Sequence, residues 1–219
     1  MLSLANSLAA VRFALNEATA SFWTDAEITT YIQEGCRVFS SKSLLVEEIG
    51  TISPMILTTP YYDSVDETFL ANVIDIYSVI YNISTHYKGL IRIEPQQIGN
   101  MVKMAETGPP KYYSLFNRFL YIYPLASATE VAGGTLEILY STITSVIAAL
   151  NDEHQHLPII YATAKALQKD QKFGQASVLM QQFYQEISFE RSDKYNVEAN
   201  YLDDFKIKAT AGAQQNARR

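Results

Sequence analysis

The sequence predicts an α+β fold: a helical bundle from the N- and C-terminal helices, an inserted antiparallel β-rich region, and an extended C-terminal tail. Three observations predict it. Apolar residues recur at spacings of three and four near both ends of the chain, as they do along one face of a helix. Between those ends, ten of the 15 tyrosines fall from Tyr61 to Tyr140 among dense β-branched residues, a composition suited to pleated sheet. After residue 189 the helical spacing gives way to mixed charges and a small, polar terminus.

The first helix is expected over 3–18, with Leu4, Leu8, Val11 and Leu15 on one buried stripe. A second, over 25–40, opens with a capping box, because Thr24 stands three residues before Glu27 and each side chain satisfies the other's free backbone N–H. Trp23 and Ile28 occupy the positions of a hydrophobic staple. Ile28, Ile32, Cys36 and Phe39 continue the apolar face, and the cluster Ser40, Ser41 and Ser43 is expected to end it. The β-rich region, about 45–145, is marked by breakers. Leu90 to Glu94 ends at Pro95, Phe119 to Tyr123 ends at Pro124, and Leu136 to Tyr140 follows Gly133-Gly134. The run from Val73 to Ile83 carries apolar groups on both faces, so a strand covered on both sides is expected there. Gln96 to Glu106 reads as a short helix, broken by Thr107-Gly108-Pro109-Pro110.

Helical spacing returns at 158–169, where Pro158 suits a first turn because its missing N–H would have been unpaired. Over 171–188, Phe173, Ala176, Met180, Phe183 and Ile187 define the last apolar face. Residues 1–189 thus read as the folded domain and 190–219 as a C-terminal extension. That extension holds six basic and five acidic groups yet spaces Tyr195, Val197, Tyr201, Leu202, Phe205 and Ile207 along its length. Two readings stay open: it orders on a partner, or it packs on its own domain.

Composition bounds the function. A chain of 219 residues with 48% hydrophobic and 18% charged residues can bury a core, which excludes a wholly disordered or fibrous protein. One cysteine makes no intrachain disulfide, so the fold does not require an oxidising compartment. No stretch approaches the roughly 20 apolar residues of a membrane helix, and no secretion leader is apparent, so the chain reads as neither membrane-spanning nor exported. A net charge of −6 argues against tight binding to phosphate backbones, which needs clustered Lys and Arg.

Chemistry-bearing patterns are sparse. Asp152-Glu153-His154-Gln155-His156 offers four potential ligands in five residues, but not in a zinc spacing, and reads better as a polar loop before the helix at Pro158. Cys36 sits on a buried stripe with no His nearby in sequence and reads as a small core residue. No nucleophile elbow, phosphate loop or dinucleotide fingerprint is present. The adjacent pairs Glu47-Glu48, Asp66-Glu67 and Asp203-Asp204 point apart in extended chain, although a pair assembled from distant carboxylates stays open. Lys111-Tyr112-Tyr113 and Tyr87-Lys88 could stack on bases, but the acidic balance favours tyrosines that pack sheets and interfaces. No catalytic, cofactor-binding or metal-binding residue is therefore assigned.

The order of these elements resembles the head-to-tail adaptor, or connector, proteins of tailed bacteriophages. Phe22-Trp23-Thr24-Asp25-Ala26-Glu27-Ile28, continuing to Tyr31-Ile32-Gln33-Glu34-Gly35, resembles the opening helix pair of that family. Gly108-Pro109-Pro110-Lys111-Tyr112-Tyr113, then Phe119-Leu120-Tyr121-Ile122-Tyr123-Pro124, then Leu136-Glu137-Ile138-Leu139-Tyr140 resembles its β insertion, and Leu157-Pro158 with Tyr161 its closing helices. The resemblance implies a structural protein of the virion neck, assembled in the bacterial host cytoplasm, and not an enzyme. Its implied form is a homo-oligomeric ring, commonly of twelve subunits, beneath the portal protein. There it would extend the DNA channel without sequence-specific binding and present a platform to a tail or nozzle protein, with no membrane and no cofactor. It also implies that the C-terminal extension docks on the portal, with Phe189, Tyr195, Tyr201, Leu202 and Phe205 as anchors and Arg218 and Arg219 reaching acidic groups. The competing reading is a small soluble hydrolase acting on carbohydrate or peptidoglycan.

Overall fold

A computed structural model describes residues 2–17, 19–56, 59–65, 67–83, 86–104 and 106–191. They form a mixed α+β protein with these elements in order: α1 (Leu4–Ala14), α2 (Asp25–Ser43), β1 (Glu47–Ile52), β2 (Tyr61–Tyr62), β3 (Val73–Ile83), β4 (His86–Gly89), β5 (Ile91–Arg92), α3 (Pro95–Val102), β6 (Tyr112–Phe116), β7 (Phe119–Tyr123), α4 (Ala128–Gly133), β8 (Gly134–Thr142), α5 (Leu157–Lys169) and α6, over 173–191. The chain divides into two compact units, one made by residues up to Gly35 with those from Asp152 onward, the other by Cys36–Asn151.

In the helical unit, Ser3 caps α1 by accepting from the Asn6 N–H at 3.2 Å. The helix stops at Ala14, short of the expected 18, because Asn16 takes a left-handed φ of 56°. The Glu17 N–H then bonds the Arg12 carbonyl and the Asn16 N–H the Phe13 carbonyl, a Schellman closure with Asn in the role usually held by Gly. The buried stripe also differs from the expected one. Ser7, Val11 and Arg12 are buried, whereas Leu4 is exposed. The Ser7 hydroxyl donates to the Ser3 carbonyl at 2.9 Å, so a small, internally satisfied side chain faces inward. Arg12, only 6% exposed, donates to Asp25, Glu17 and the Trp23 carbonyl and so fastens α1 to the start of α2.

The α2 start matches its signal. The Thr24 N–H donates to Glu27 at 3.1 Å, and the Glu27 N–H donates back to the Thr24 hydroxyl at 3.2 Å. Trp23 is buried and its indole N–H donates to the Ala166 carbonyl of α5 at 3.0 Å. The serine cluster does end α2, at Ser43 and not at 40. Ser40 and Ser41 bond back to the Cys36 and Val38 carbonyls, which keeps them compatible with helix, and the helix runs to Ser43 before Leu44 turns left-handed at φ 61°. Phe173 was expected on the packed face of α6 but is exposed in its first turn, ahead of the packed stretch of Ala176, Phe183 and Ile187.

The β unit holds two sheets, in strand orders β1-β8-β3-β4 and β2-β7-β6-β5. The first is antiparallel throughout. The second departs from the all-antiparallel expectation, since β5 pairs β6 in parallel across the crossover made by α3. Ile52, Val73, Ile76, Val79, Leu136 and Ile138 of the first sheet share one core with Tyr62, Tyr113, Leu120 and Ile122 of the second. Only one face of β3 is fully buried. Its opposite face is half-buried, short of the full cover expected, and the register shifts near Ile74 and Tyr77.

Candidate interaction surfaces

Exposed large apolar side chains of the helical unit include Leu4 and Phe13 of α1, Phe22 between α1 and α2, and several on α6. Amphipathic spacing turns Ala176, Phe183 and Ile187 inward, where the Phe183 ring lies 5.2 Å from that of Tyr161. The same helix leaves Phe173, Val178, Tyr184 and Phe189 exposed, Phe189 at 67%. On α1, Phe13 is 87% exposed. Ala14, Ile159, Ile160, Leu167, Val178 and Leu179 line a groove of about 510 Å³. Apolar exposure of this kind is characteristic of protein interfaces.

Of the residues expected to dock a partner, Phe189 is placed on the outward face of α6, two residues before the described chain ends. Tyr195, Tyr201, Leu202, Phe205, Arg218 and Arg219 lie outside the described residues.

The residues singled out for chemistry have other duties. The Asp152–His156 segment is a tight turn: the Gln155 side chain accepts from the Leu2 N–H, and His156 meets Glu186 of α6 at 2.7 Å. Burial pushes the Glu186 carboxyl up, but its hydrogen bonds with Gln182 and His156 outweigh that and hold it below its ordinary value. No group of three or more His, Cys, Asp or Glu suited to a metal occurs among the described residues. Cys36 is fully buried, and burial pushes its thiol up to about 12, so little thiolate exists at neutral pH.

Of the other exposed apolar positions, Ile49 was not singled out from the sequence, whereas Tyr87 was, together with Lys88. In the β unit, Ile49 of β1 and Tyr87 of β4 are 72% and 69% exposed. Tyr61, Phe119 and Tyr121 form an aromatic cluster on the second sheet, with ring centroids 5.3 to 6.4 Å apart. Next to it, Asn117 and Arg118 at φ 51° and 66° make the two-residue turn joining β6 to β7. The signal for that hairpin was present: two polar residues between two aromatic runs. No helix among the described residues is long and apolar enough to cross a membrane.

No curated protein matches the chain. The SU10 adaptor protein family matches residues 3–201, which takes in both units. By that match across most of its length, the chain belongs to the SU10 adaptor protein family.

Proposed function

We propose that this chain is a structural protein of the phage neck, which forms a ring below the portal, extends the DNA channel and joins the capsid to the tail. The observation that carries the reading is the family match over residues 3–201. Two physical features support it. A ring subunit needs surfaces that bury apolar groups against its neighbours, and Phe13, Phe173 and Val178 supply exposed ones on the helical unit. DNA must slide through such a channel without being gripped, and a chain of net charge −6 provides little counterion release to hold it.

In this reading the ring has about twelve copies, the number implied by the resemblance to head-to-tail adaptors, and its contacts run head-to-tail, since such contacts close into rings. The partner above is the portal, met by Phe189 and the extension after it through Tyr195, Tyr201, Leu202, Phe205, Arg218 and Arg219. The partner below is a tail or nozzle protein. The family match ends at residue 201, so Leu202, Phe205, Arg218 and Arg219 lie past the matched stretch. The role is structural and not catalytic, and the site of assembly is the host cytoplasm. Electron microscopy of the purified protein, alone and mixed with its portal, tests this. Rings capping the portal are expected; a protein that stays monomeric and unattached in both samples overturns the reading.

A further inference from the structure

The first sheet of the β unit ends in two strands with no neighbour beyond them among the described residues, β1 and β4. An edge strand presents unpaired N–H and C=O groups, and proteins ordinarily protect it with charges or proline in mid-strand. Here each edge sets a mostly exposed apolar group beside a charge, Ile49 next to Glu48 on β1 and Tyr87 next to Lys88 on β4. Charges on the two edges are opposite: Glu47 and Glu48 are exposed on β1, and Lys88 is exposed on β4.

We infer that β4 of one copy pairs with β1 of the next, continuing the sheet from subunit to subunit; this rests on the ring reading above and names its lateral contact. Direction permits it. β1 and β3 run one way and β8 and β4 the other, because each adjacent pair is antiparallel. Copies related by rotation about an axis along the strands keep those directions, so the facing edges meet antiparallel.

The register follows from side-chain faces. Ile49 lies opposite Leu139, which lies opposite Ser78; counting along β3 from Ser78 through Ile80 to Asn82 reaches Tyr87, so Ile49 and Tyr87 share the face away from the core. Glu48 lies opposite Tyr140, and Lys88 opposite Tyr81, both on the core-facing side. The antiparallel register that sets Ile49 against Tyr87 also sets Glu48 against Lys88. One alignment therefore gives a β-branched–aromatic pair on one face and an ion pair on the other. The Tyr140 hydroxyl donates to Oε2 of Glu48, which leaves Oε1 for the ammonium. A two-fold contact of β1 with β1 would bring two acidic edges together, and of β4 with β4 two lysines, so the head-to-tail pairing has the better charge match.

Cysteine crosslinking tests the pairing in the full-length protein, alone and on portal rings, with Cys36 retained because it is buried. Ile49→Cys with Tyr87→Cys in one chain should give a ladder of covalent multimers on oxidation. A mixture of the two single variants should give dimers only, and neither single variant alone should crosslink. A charge test is independent of thiol geometry: Lys88→Glu should weaken self-association at least tenfold, and adding Glu48→Lys should restore it. Rings seen by microscopy without a ladder, dimers from Ile49→Cys alone, or Lys88→Glu rings as stable as wild type each overturn the edge pairing while leaving the ring intact. Failure of the unmodified protein to form rings overturns the ring reading and the pairing together.

Discussion

A Cβ placed on Gly35 of α2 would lie 3.0 Å from the Cα of Pro158 in α5 and 3.2 Å from its carbonyl oxygen, so the absence of a side chain sets how closely these helices approach. Gly35→Ala gains up to about 1 kcal/mol in helix propensity but overpacks a backbone contact, at a cost of about 1–3 kcal/mol. Overpacking should win, because the atoms met are backbone and cannot rotate away. Urea denaturation should show a net loss of about 1 kcal/mol, and more for Gly35→Val. Gly99 in α3 meets nothing within 4 Å, so Gly99→Ala should instead stabilise by about 0.5–1 kcal/mol.

Trp23 and Arg12 hold the start of α2 from two sides. Trp23→Ala removes a buried ring and one of two donors to the Ala166 carbonyl, which keeps the Asp170 N–H, and should cost about 3–5 kcal/mol. Arg12→Ala removes the donor shared by Asp25, Glu17 and the Trp23 carbonyl. Asp25 is largely exposed and can recover water, so the loss should sit near about 3 kcal/mol, the low end for a broken buried pair. Calorimetric melting of the two variants measures both, and an unchanged melting temperature for Trp23→Ala would contradict its burial.

The Tyr81 hydroxyl is buried with no hydrogen-bond partner among the described residues. Its ring lies 2.8 Å from where a Cβ on Gly134 would stand, so the packing around the ring is tight. Tyr81→Phe keeps that packing and removes an unpaired polar atom. It should be neutral or stabilising by about 1 kcal/mol, read from the denaturation midpoint, whereas Gly134→Ala should destabilise.

Alkaline pH should weaken the protein through its buried tyrosines. Burial first, then the hydrogen bond to Glu34 at 2.6 Å, raises Tyr161, and burial with the Glu48 bond pushes Tyr140 up to about 12. The folded chain therefore keeps phenol protons that the unfolded chain releases near the ordinary value of 10.0. That stability is fully present below pH 10 and is lost as pH rises, through about 12 for Tyr140. Melting temperature measured from pH 8 upward should fall above pH 10, and the fall should be shallower in Tyr161→Phe.

Local signals carried furthest in the reading of the sequence. Thr24 and Glu27 satisfy each other whatever surrounds them, so the capping box was legible, as was the strand from Phe119 to Tyr123 bounded by its proline. Ser7 and Arg12 were not. Arg12 is buried because Asp25 and Trp23 meet it from beyond its own helix, and Ser7 because its hydroxyl is satisfied by the Ser3 carbonyl one turn back; apolar periodicity encodes neither. The split of the strands into two sheets, and the parallel β5–β6 pair, are likewise products of long-range pairing. The open edges that carry Ile49 and Tyr87 follow from that topology, so no motif announced them.

The extension after α6 can be tested directly. Phe189 projects from the last turns of a helix that reaches residue 191, so a truncation after Arg191 preserves the packed face made by Ala176, Phe183 and Ile187. The helical unit also keeps its other fastenings, including the His156–Glu186 contact and the Trp23–Ala166 bond. A chain ending at Arg191 should therefore fold, with a melting temperature close to that of the full-length protein. Ordering a freed segment costs on the order of 1–2 kcal/mol per residue in backbone entropy, so docking of the extension must bury several of its large side chains to be favourable. If those are Tyr195, Tyr201, Leu202 and Phe205 on the portal, the truncated protein should lose portal attachment in co-sedimentation while remaining soluble. Phe189→Ala should weaken attachment less, because one anchor is removed and the others stay. Normal portal binding by the truncated chain would contradict docking through the extension, and a truncated chain that unfolds would show instead that the extension packs on its own domain.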